Sequence, residues 1–200
     1  MRKTDTVILA AGDFPRKGGA AWGLLAGAKR VVACDSAADA YRRRFGKWPF
    51  ALVGDLDSVR ARRAPCRVVH DADQDTNDLE KAVAFCRAQG WRDAVIVGAT
   101  GRREDHTIGN VFRALACGLA VVTDRGRFVP VAGRAVLRVR KGAAVSVFAP
   151  DPGTRIASRG LEWPLDGVRF ANLYCATLNR ATAATVTLET TRPVSVFVEN

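Results

Sequence analysis

The chain lacks most of what would mark it for export, for a membrane or for a structural metal. Its five cysteines (Cys34, Cys66, Cys86, Cys117 and Cys175) are odd in number, scattered, and form no C-x-x-C pair. That argues against a disulfide framework and against a zinc finger or ribbon; five reduced thiols, mostly buried as small hydrophobes, fit better. No apolar run approaches the roughly 20 residues needed to span a bilayer. The opening "MRKTDTVILAAGDFP" has basic residues at its front, but Asp5 interrupts its apolar run and Gly12 ends it, too short for a signal-peptide core. A cytoplasmic location without a membrane partner is the expectation. Internal repeats and low-complexity segments are also missing.

Lysine is scarce: of 31 basic residues only six are lysine. The formal net charge of +11 would suit a phosphate backbone through counterion release. The arginines, however, run along the whole length apart from short clusters such as "YRRRFGK" and "RARRAP", and no zinc-finger, RNP-like or basic-zipper pattern accompanies them. A general arginine bias explains the charge more simply, so no nucleic-acid partner is expected, with a basic nucleic-acid-binding module kept as an alternative.

What the chain has is core-forming material, 48% hydrophobic over 200 residues, enough for one large or two small domains. Between Thr6 and Asp124 the short runs "TVILAAG", "VVACD", "ALVGD", "RVVHD", "AVIVGA" and "LAVVTD" read as strands. They alternate with "GGAAWGLLAGAKR", "SAADAYRRRFG", "NDLEKAVAFCRAQG" and "HTIGNVFRALACG", which carry apolar residues at helical spacing. Strands buried on both faces and joined by helices predict a parallel, open α/β sheet that binds ligands beyond the carboxyl ends of its strands. After about Phe128 the helical pattern ends. "RAVLRVRKG", "AAVSVFAP", "GVRFANLYCATLN", "ATAATVTLETT" and "RPVSVFVEN" predict a small antiparallel β-sandwich or barrel. The expected division is 1–127 and 128–200. The second part is small enough to need its neighbour or a second copy of itself.

Charge that can serve chemistry collects at strand ends. In "LVGDLDSV", Asp55 and Asp57 would point the same way from an extended segment and reach one cation, for which magnesium is the natural partner; a plain acidic turn is the structural alternative. "DADQDTNDLEKAVAF" places Asp71, Asp73, Asp75 and Asp78 before and within the start of a helix, with Asn77 and Glu80 spaced as a capping box. Acidic residues are common at helix starts because the helix dipole favours them. Two such clusters at one end of one sheet are harder to dismiss. In "VIVGATGRREDHTIGN" two glycines let backbone approach a ligand, and two arginines precede a helix beginning near Asp105, an arrangement suited to phosphate. His106 and Asn110 share one face of that helix, and a lone histidine of this kind is more often structural than catalytic.

Taken in order, "AAGDFP", "ACDSAAD", "PFALVGDLDSV", "DQDTNDLEKAV", "GATGRREDHTIGN" and "RGLEWPLDGVRFANLYCATLN" resemble the thiamine pyrophosphokinase family over nearly the whole chain. The resemblance implies an α/β ATP-binding catalytic domain, a β-rich thiamine-binding and dimerisation domain, and a homodimer. It also implies transfer of the terminal diphosphate of ATP to the thiamine hydroxyl, giving thiamine diphosphate and AMP. It assigns Asp55, Asp57 and Asp78 to magnesium and to catalysis, with Asp75 as a further metal ligand and Gln74 against thiamine. Lys81, Arg103, Asp105, His106 and Asn110 would line the ATP side, with Asp35 at the second strand-end motif. Trp163 and Asn179 would reach the thiamine site, Trp163 through a cation–π contact. Four positions depart from the family pattern: Ser36 and Arg102 replace glycines, Asn77 a threonine and Leu178 a serine. A magnesium-dependent phosphohydrolase using Asp55 and Asp57 is the rival enzyme reading.

Overall fold

The first half folds as its pattern dictates, because apolar runs are punctuated by helix-forming segments and all but one are buried on both faces; the run Arg67–His70, last in the strand order, is largely exposed. The computed structural model describes residues 4–56, 65–73 and 75–200. The chain divides into two units, Met1–Arg113 with Val121–Asp124, and Ala114–Ala120 with Arg125–Asn200. The short stretch Ala114–Ala120 therefore groups with the second unit although it precedes the last strand of the first.

In the first unit β1 (Thr6–Leu9), β2 (Arg30–Cys34), β3 (Ala51–Gly54), β4 (Arg67–His70), β5 (Val95–Val97) and β6 (Val121–Val122) pair in parallel, in the order β6-β5-β1-β2-β3-β4. Between them run α1 (Ala20–Gly27), α2 (Ala37–Phe45), α3 (Asp78–Ala88) and α4 (Glu104–Ala116). Val7, Leu9, Val31 and Ala33 point to one face of the sheet and share a core cluster with Ala21, Leu25, Ala38 and Tyr41 of α1 and α2. The intervening Ile8 and Val32 are fully buried as well, and α3 packs against β1, β2 and β3. Burying each such side chain contributes about 1.5–3 kcal/mol. From β1 the chain steps outward one way through β2 to β4, and then returns to the other side of β1 for β5 and β6. The loops after β1 and β5 thus diverge at a topological switch point, where an open α/β sheet leaves a crevice at its carboxyl edge.

The second unit is antiparallel, in the order β10-β8-β11-β7, with β9 also on β11. Its strands are β7 (Gly126–Arg138), β8 (Ala144–Phe148), β9 (Ile156–Arg159), β10 (Ala176–Arg180) and β11 (Thr185–Glu199). The second unit departs from the sequence pattern at three points. The last two expected strands are one, β11, interrupted by a bulge between Thr190 and Val194. Its first half pairs with β9 and its second with β8, so the bend at the bulge carries one strand between two neighbours. Strand β9 was not expected, because "IASR" is short and half polar. Of "GVRFANLYCATLN" only the end is strand, and Phe170 instead plugs the core among Val145, Val147, Val186, Leu188 and Val196. Among the described residues no helix is long and apolar enough to cross a membrane.

Candidate active site

Three carboxylates meet at the carboxyl ends of β2 and β3. Because these strands are parallel neighbours, the residues that follow them, Asp35 and Asp55, emerge at the same edge, and α3 starts there with Asp78 after the chain has passed through β4. Asp35 is buried, with its backbone in the left-handed region at φ 35°, and its N–H donates to the Val53 carbonyl at 3.0 Å. Gly54 sits between them: a Cβ there would stand 3.1 Å from Asp78 Oδ1 and 3.3 Å from Asp35 Cβ. Glycine is what admits both acids to one spot. Burial pushes the Asp78 carboxyl up from its ordinary range, and the nearby charges of Asp35 and Asp55 push it further; Lys81 and the backbone N–H of Asp55 pull the other way. Beside it the Cys34 thiol is raised by burial first and by Asp78 next, and its Sγ donates to the Asp78 carbonyl at 3.5 Å. Cys34 is therefore a neutral thiol at physiological pH and not a nucleophile.

The acidic loop before α3 separates into two roles. Asp71 Oδ1 accepts from the Asp73 N–H at 3.1 Å; Asp73 accepts from the Asp75 N–H at 2.9 Å and from Thr76 Oγ1 at 2.8 Å. Those bonds hold the Asp73 carboxyl below its ordinary range and make Asp71 and Asp73 turn-forming residues. Asp75 stays exposed at the turn. The capping box forms as expected: Asn77 Oδ1 accepts from the Glu80 N–H at 2.9 Å, and Glu80 Oε2 accepts from the Asn77 N–H at 3.2 Å. This fixes the first turn of α3, and Asp78 with it.

Across the crevice the loops after β1 and β5 are joined by backbone. The N–H groups of Ala10, Gly12 and Asp13 donate to the carbonyls of Val97, Gly98 and Thr100 at 2.9, 2.7 and 2.8 Å. Gly101, at φ +81°, abuts the Asp13 side chain so closely that a Cβ would overlap the carboxylate. Thr107 Oγ1 accepts from the Gly101 N–H at 3.1 Å, and Asn110 Nδ2 donates to the Ala99 carbonyl at 3.0 Å, so α4 pins the glycine loop from its own first turns. Arg103 is bound through Nε and Nη2 to Asp105 at 3.1 and 2.6 Å, and the hydrogen bond it gives pulls the Asp105 carboxyl down to about 2.

Together these loops enclose a cleft of about 520 Å³, a volume suited to a small-molecule ligand. Asp35, Asp78, Arg103, Asp105, His106 and Asn110 all line it. So do Arg102, one of the two arginines expected to suit phosphate, and Arg113, which was not expected; the signal available for Arg113 was its spacing, seven residues after His106 and three after Asn110 on one helix face. Lys81 does not line the cleft. The residue is only 5% exposed, and its ammonium donates to the Asp71 carbonyl at 2.8 Å, tying α3 to the acidic loop. Asp57 and Gln74 lie outside the described residues.

In the second unit Trp163 and Asn179 come together. Asn179, 5% exposed, accepts from the Trp163 N–H at 3.2 Å and donates to the Trp163 carbonyl at 2.7 Å, while its Oδ1 also accepts from the Arg180 N–H at 2.8 Å. The asparagine holds the backbone of the tryptophan, whose ring stays open to solvent at 55% exposure. Leu178, 85% exposed and at φ 64°, sits in the irregular part of β10 between Ala176 and Asn179.

A divalent cation fits the first of these sites. Burial and the like charges of Asp35 and Asp55 disfavour the charged form of Asp78, a cost that a hard cation on carboxylate oxygens relieves. Among the described residues no three such groups already form a metal cage. Magnesium seldom uses one, since it keeps waters and substrate phosphate oxygens among its ligands.

Known proteins share this chain's sequence pattern and its fold. The pattern of the thiamin pyrophosphokinase catalytic domain matches residues 21–121, and that of the thiamin pyrophosphokinase substrate-binding domain matches residues 126–197. A 94-residue stretch is 35% identical to thiamin pyrophosphokinase 1 of Caenorhabditis elegans, covering 42% of this chain and 39% of the length of that protein. The crystal structure of the thiamine pyrophosphokinase of Bacillus subtilis superimposes with a TM-score of 0.73 at 16% identity, over 98% of each chain. The thiamin pyrophosphokinase of Candida albicans gives 0.78 at 12% identity, over 100% of this chain and 94% of that one. At those identities the two structures establish the fold.

Proposed function

The chain belongs to the thiamin pyrophosphokinase family, and from that premise we propose that it transfers the terminal diphosphate of ATP to the hydroxyl of thiamine, yielding thiamine diphosphate and AMP. The observation that carries this reading is the meeting of Asp35, Asp55 and Asp78 around Gly54, at the edge of a cleft whose other wall is a glycine–arginine loop.

In this reading the cleft of the first unit takes ATP, and the carboxylates of Asp55, Asp57, Asp75 and Asp78 would hold magnesium. Bound magnesium would neutralise charge on the phosphate oxygens of ATP, which bare carboxylates would repel. The thiamine hydroxyl oxygen bonds to the β-phosphorus while the bond from that phosphorus to the oxygen it shares with the α-phosphate breaks. AMP leaves with that oxygen, and the hydroxyl proton passes to an aspartate oxygen or to water. Positioning outweighs base strength in such a transfer. Arg103, once released from Asp105, stabilises the charge that develops on the transferred oxygens. Lys81 acts at a remove, since its contact is with the Asp71 carbonyl that orders the acidic loop. In the domain 128–200, Asn179 presents Trp163 as an aromatic face for the thiamine cation across a homodimer, with Gln74 completing the thiamine contacts.

The test is incubation of the purified chain with magnesium, ATP and thiamine, scored for AMP and thiamine diphosphate together. Equal amounts of both are expected, and Asp55→Asn or Asp57→Asn should abolish them while leaving the chain folded. Release of inorganic phosphate without any thiamine requirement would overturn the reading in favour of a phosphohydrolase.

A further inference from the structure

Arg113 lines the cleft, yet the preceding chemistry gives it no part. It lies two and a half turns into α4, on the face that also carries His106 and Asn110, and it lines the same cleft as Asp35 and Asp78. Two features hold its guanidinium. Its Nε donates to Glu80 Oε2 at 2.9 Å, and that same oxygen accepts the Asn77 N–H at 3.2 Å, so the arginine is anchored to the capping box that starts α3. Its Nη1 lies against Gly109, where a Cβ would come within 2.9 Å of it. The missing side chain at Gly109 is a notch in which the guanidinium rests.

We propose that Arg113 is a phosphate-binding residue for the nucleotide, resting on the reading of this cleft as the ATP site. Arg113 differs from Arg103 in how it is held. Arg103 gives two of its five N–H donors to Asp105, through Nε and Nη2, and keeps three for an anion. Among the described residues Arg113 is held through Nε alone, which leaves the two Nη groups as donors for phosphate oxygens. A planar guanidinium fixed at one edge is pre-organised for two parallel hydrogen bonds to an anion, and little side-chain entropy remains to be lost. Its tie to Glu80 also links the occupied cleft to the first turn of α3, where Asp78 is set.

The test measures binding of ATP, and separately of adenosine, to the full chain by titration calorimetry in magnesium buffer without thiamine. Arg113→Gln should weaken ATP by about ten-fold or more, the usual scale for a lost charged hydrogen bond, and leave adenosine unchanged. Gly109→Ala keeps the charge but fills the notch, and should weaken ATP by a smaller factor in the same direction; it also serves if Arg113→Gln fails to fold. Arg113→Lys, with the charge but without the fork, should recover part of the loss. Unchanged ATP affinity in Arg113→Gln and Gly109→Ala, or equal losses for ATP and adenosine, would overturn the proposal. Failure of the unaltered chain to bind ATP would overturn the ATP-site reading and this one with it.

Discussion

Replacing Gly101 by alanine tests the way the two crevice loops are locked. Gly101 stands at φ +81° with the Asp13 side chain where a Cβ would go: the carboxylate would overlap it and Asp13 Cβ would be 2.9 Å away. Alanine in left-handed backbone costs about 1–2 kcal/mol, offset in part by about 0.4–1 kcal/mol because alanine has less freedom than glycine in the unfolded chain. Crowding against Asp13 adds about 1–3 kcal/mol, since its carboxylate can rotate away but its Cβ moves only with the backbone. Taking the middle of each range, the net loss is roughly 3 kcal/mol. In urea that shifts the midpoint down by about 1 M at the slopes usual for chains of this size. The two parts separate in an Asp13→Gly background, where only the backbone part survives and Gly101→Ala should cost about 1 kcal/mol. Because Asp13 donates from its backbone N–H to the Thr100 carbonyl, the loop pairing itself persists in that background. Urea unfolding of the four proteins, followed by tryptophan fluorescence, gives the cycle. The same cost in both backgrounds, or none in either, would refute the reasoning.

Asp78→Asn should abolish product formation yet stabilise the chain at neutral pH. The folded-state pKa of Asp78 is raised, so the folded state binds its proton more tightly than the unfolded state does, and stability is lost as pH rises from the ordinary aspartate range through the raised value. Melting temperatures of variant and parent should therefore converge in acid and separate as pH rises; a variant less stable at pH 7 would contradict the charge crowding. Trp163→Ala should weaken thiamine binding much more than ATP binding, measured by calorimetry with each ligand, and equal losses would count against an aromatic face for thiamine. Asn179→Ala strips hydrogen bonds from the Trp163 N–H and carbonyl and from the Arg180 N–H. It should lower stability by about 1–3 kcal/mol and weaken thiamine as Trp163→Ala does; unchanged thiamine affinity would show that Asn179 does not present the ring.

The parallel half of the fold was legible because its signals are local. Val7 to Leu9 and Val31 to Ala33 are short runs with both faces buried, and Asn77 with Glu80 is a capping box readable from two residue types three apart. The second half was less legible because its register depends on partners distant in sequence. Nothing local says that Thr185–Glu199 is one strand, or that a bulge near Thr190 passes it from β9 to β8. The departures from the family pattern gain a physical meaning only from backbone angles. Arg102 and Leu178 both stand at left-handed φ, 60° and 64°, and at Arg102 that is the conformation glycine adopts without strain.

By itself, then, the sequence determined the alternation of strand and helix, the change to an antiparallel second half, and the set of acidic residues available at strand ends. Those follow from periodicity, turn chemistry and composition, all of which act over a few residues. Only the tertiary structure decided which of those groups meet. Parallel pairing of β2 with β3 brings Asp35 beside Asp55, and the return of the chain through β4 brings Asp78 to them over Gly54. Local hydrogen bonds reassign Asp71 and Asp73 to the turn, and Lys81 to the loop's carbonyl. Proximity between residues dozens apart in the chain is a property of the sheet's order, and no window of sequence contains it.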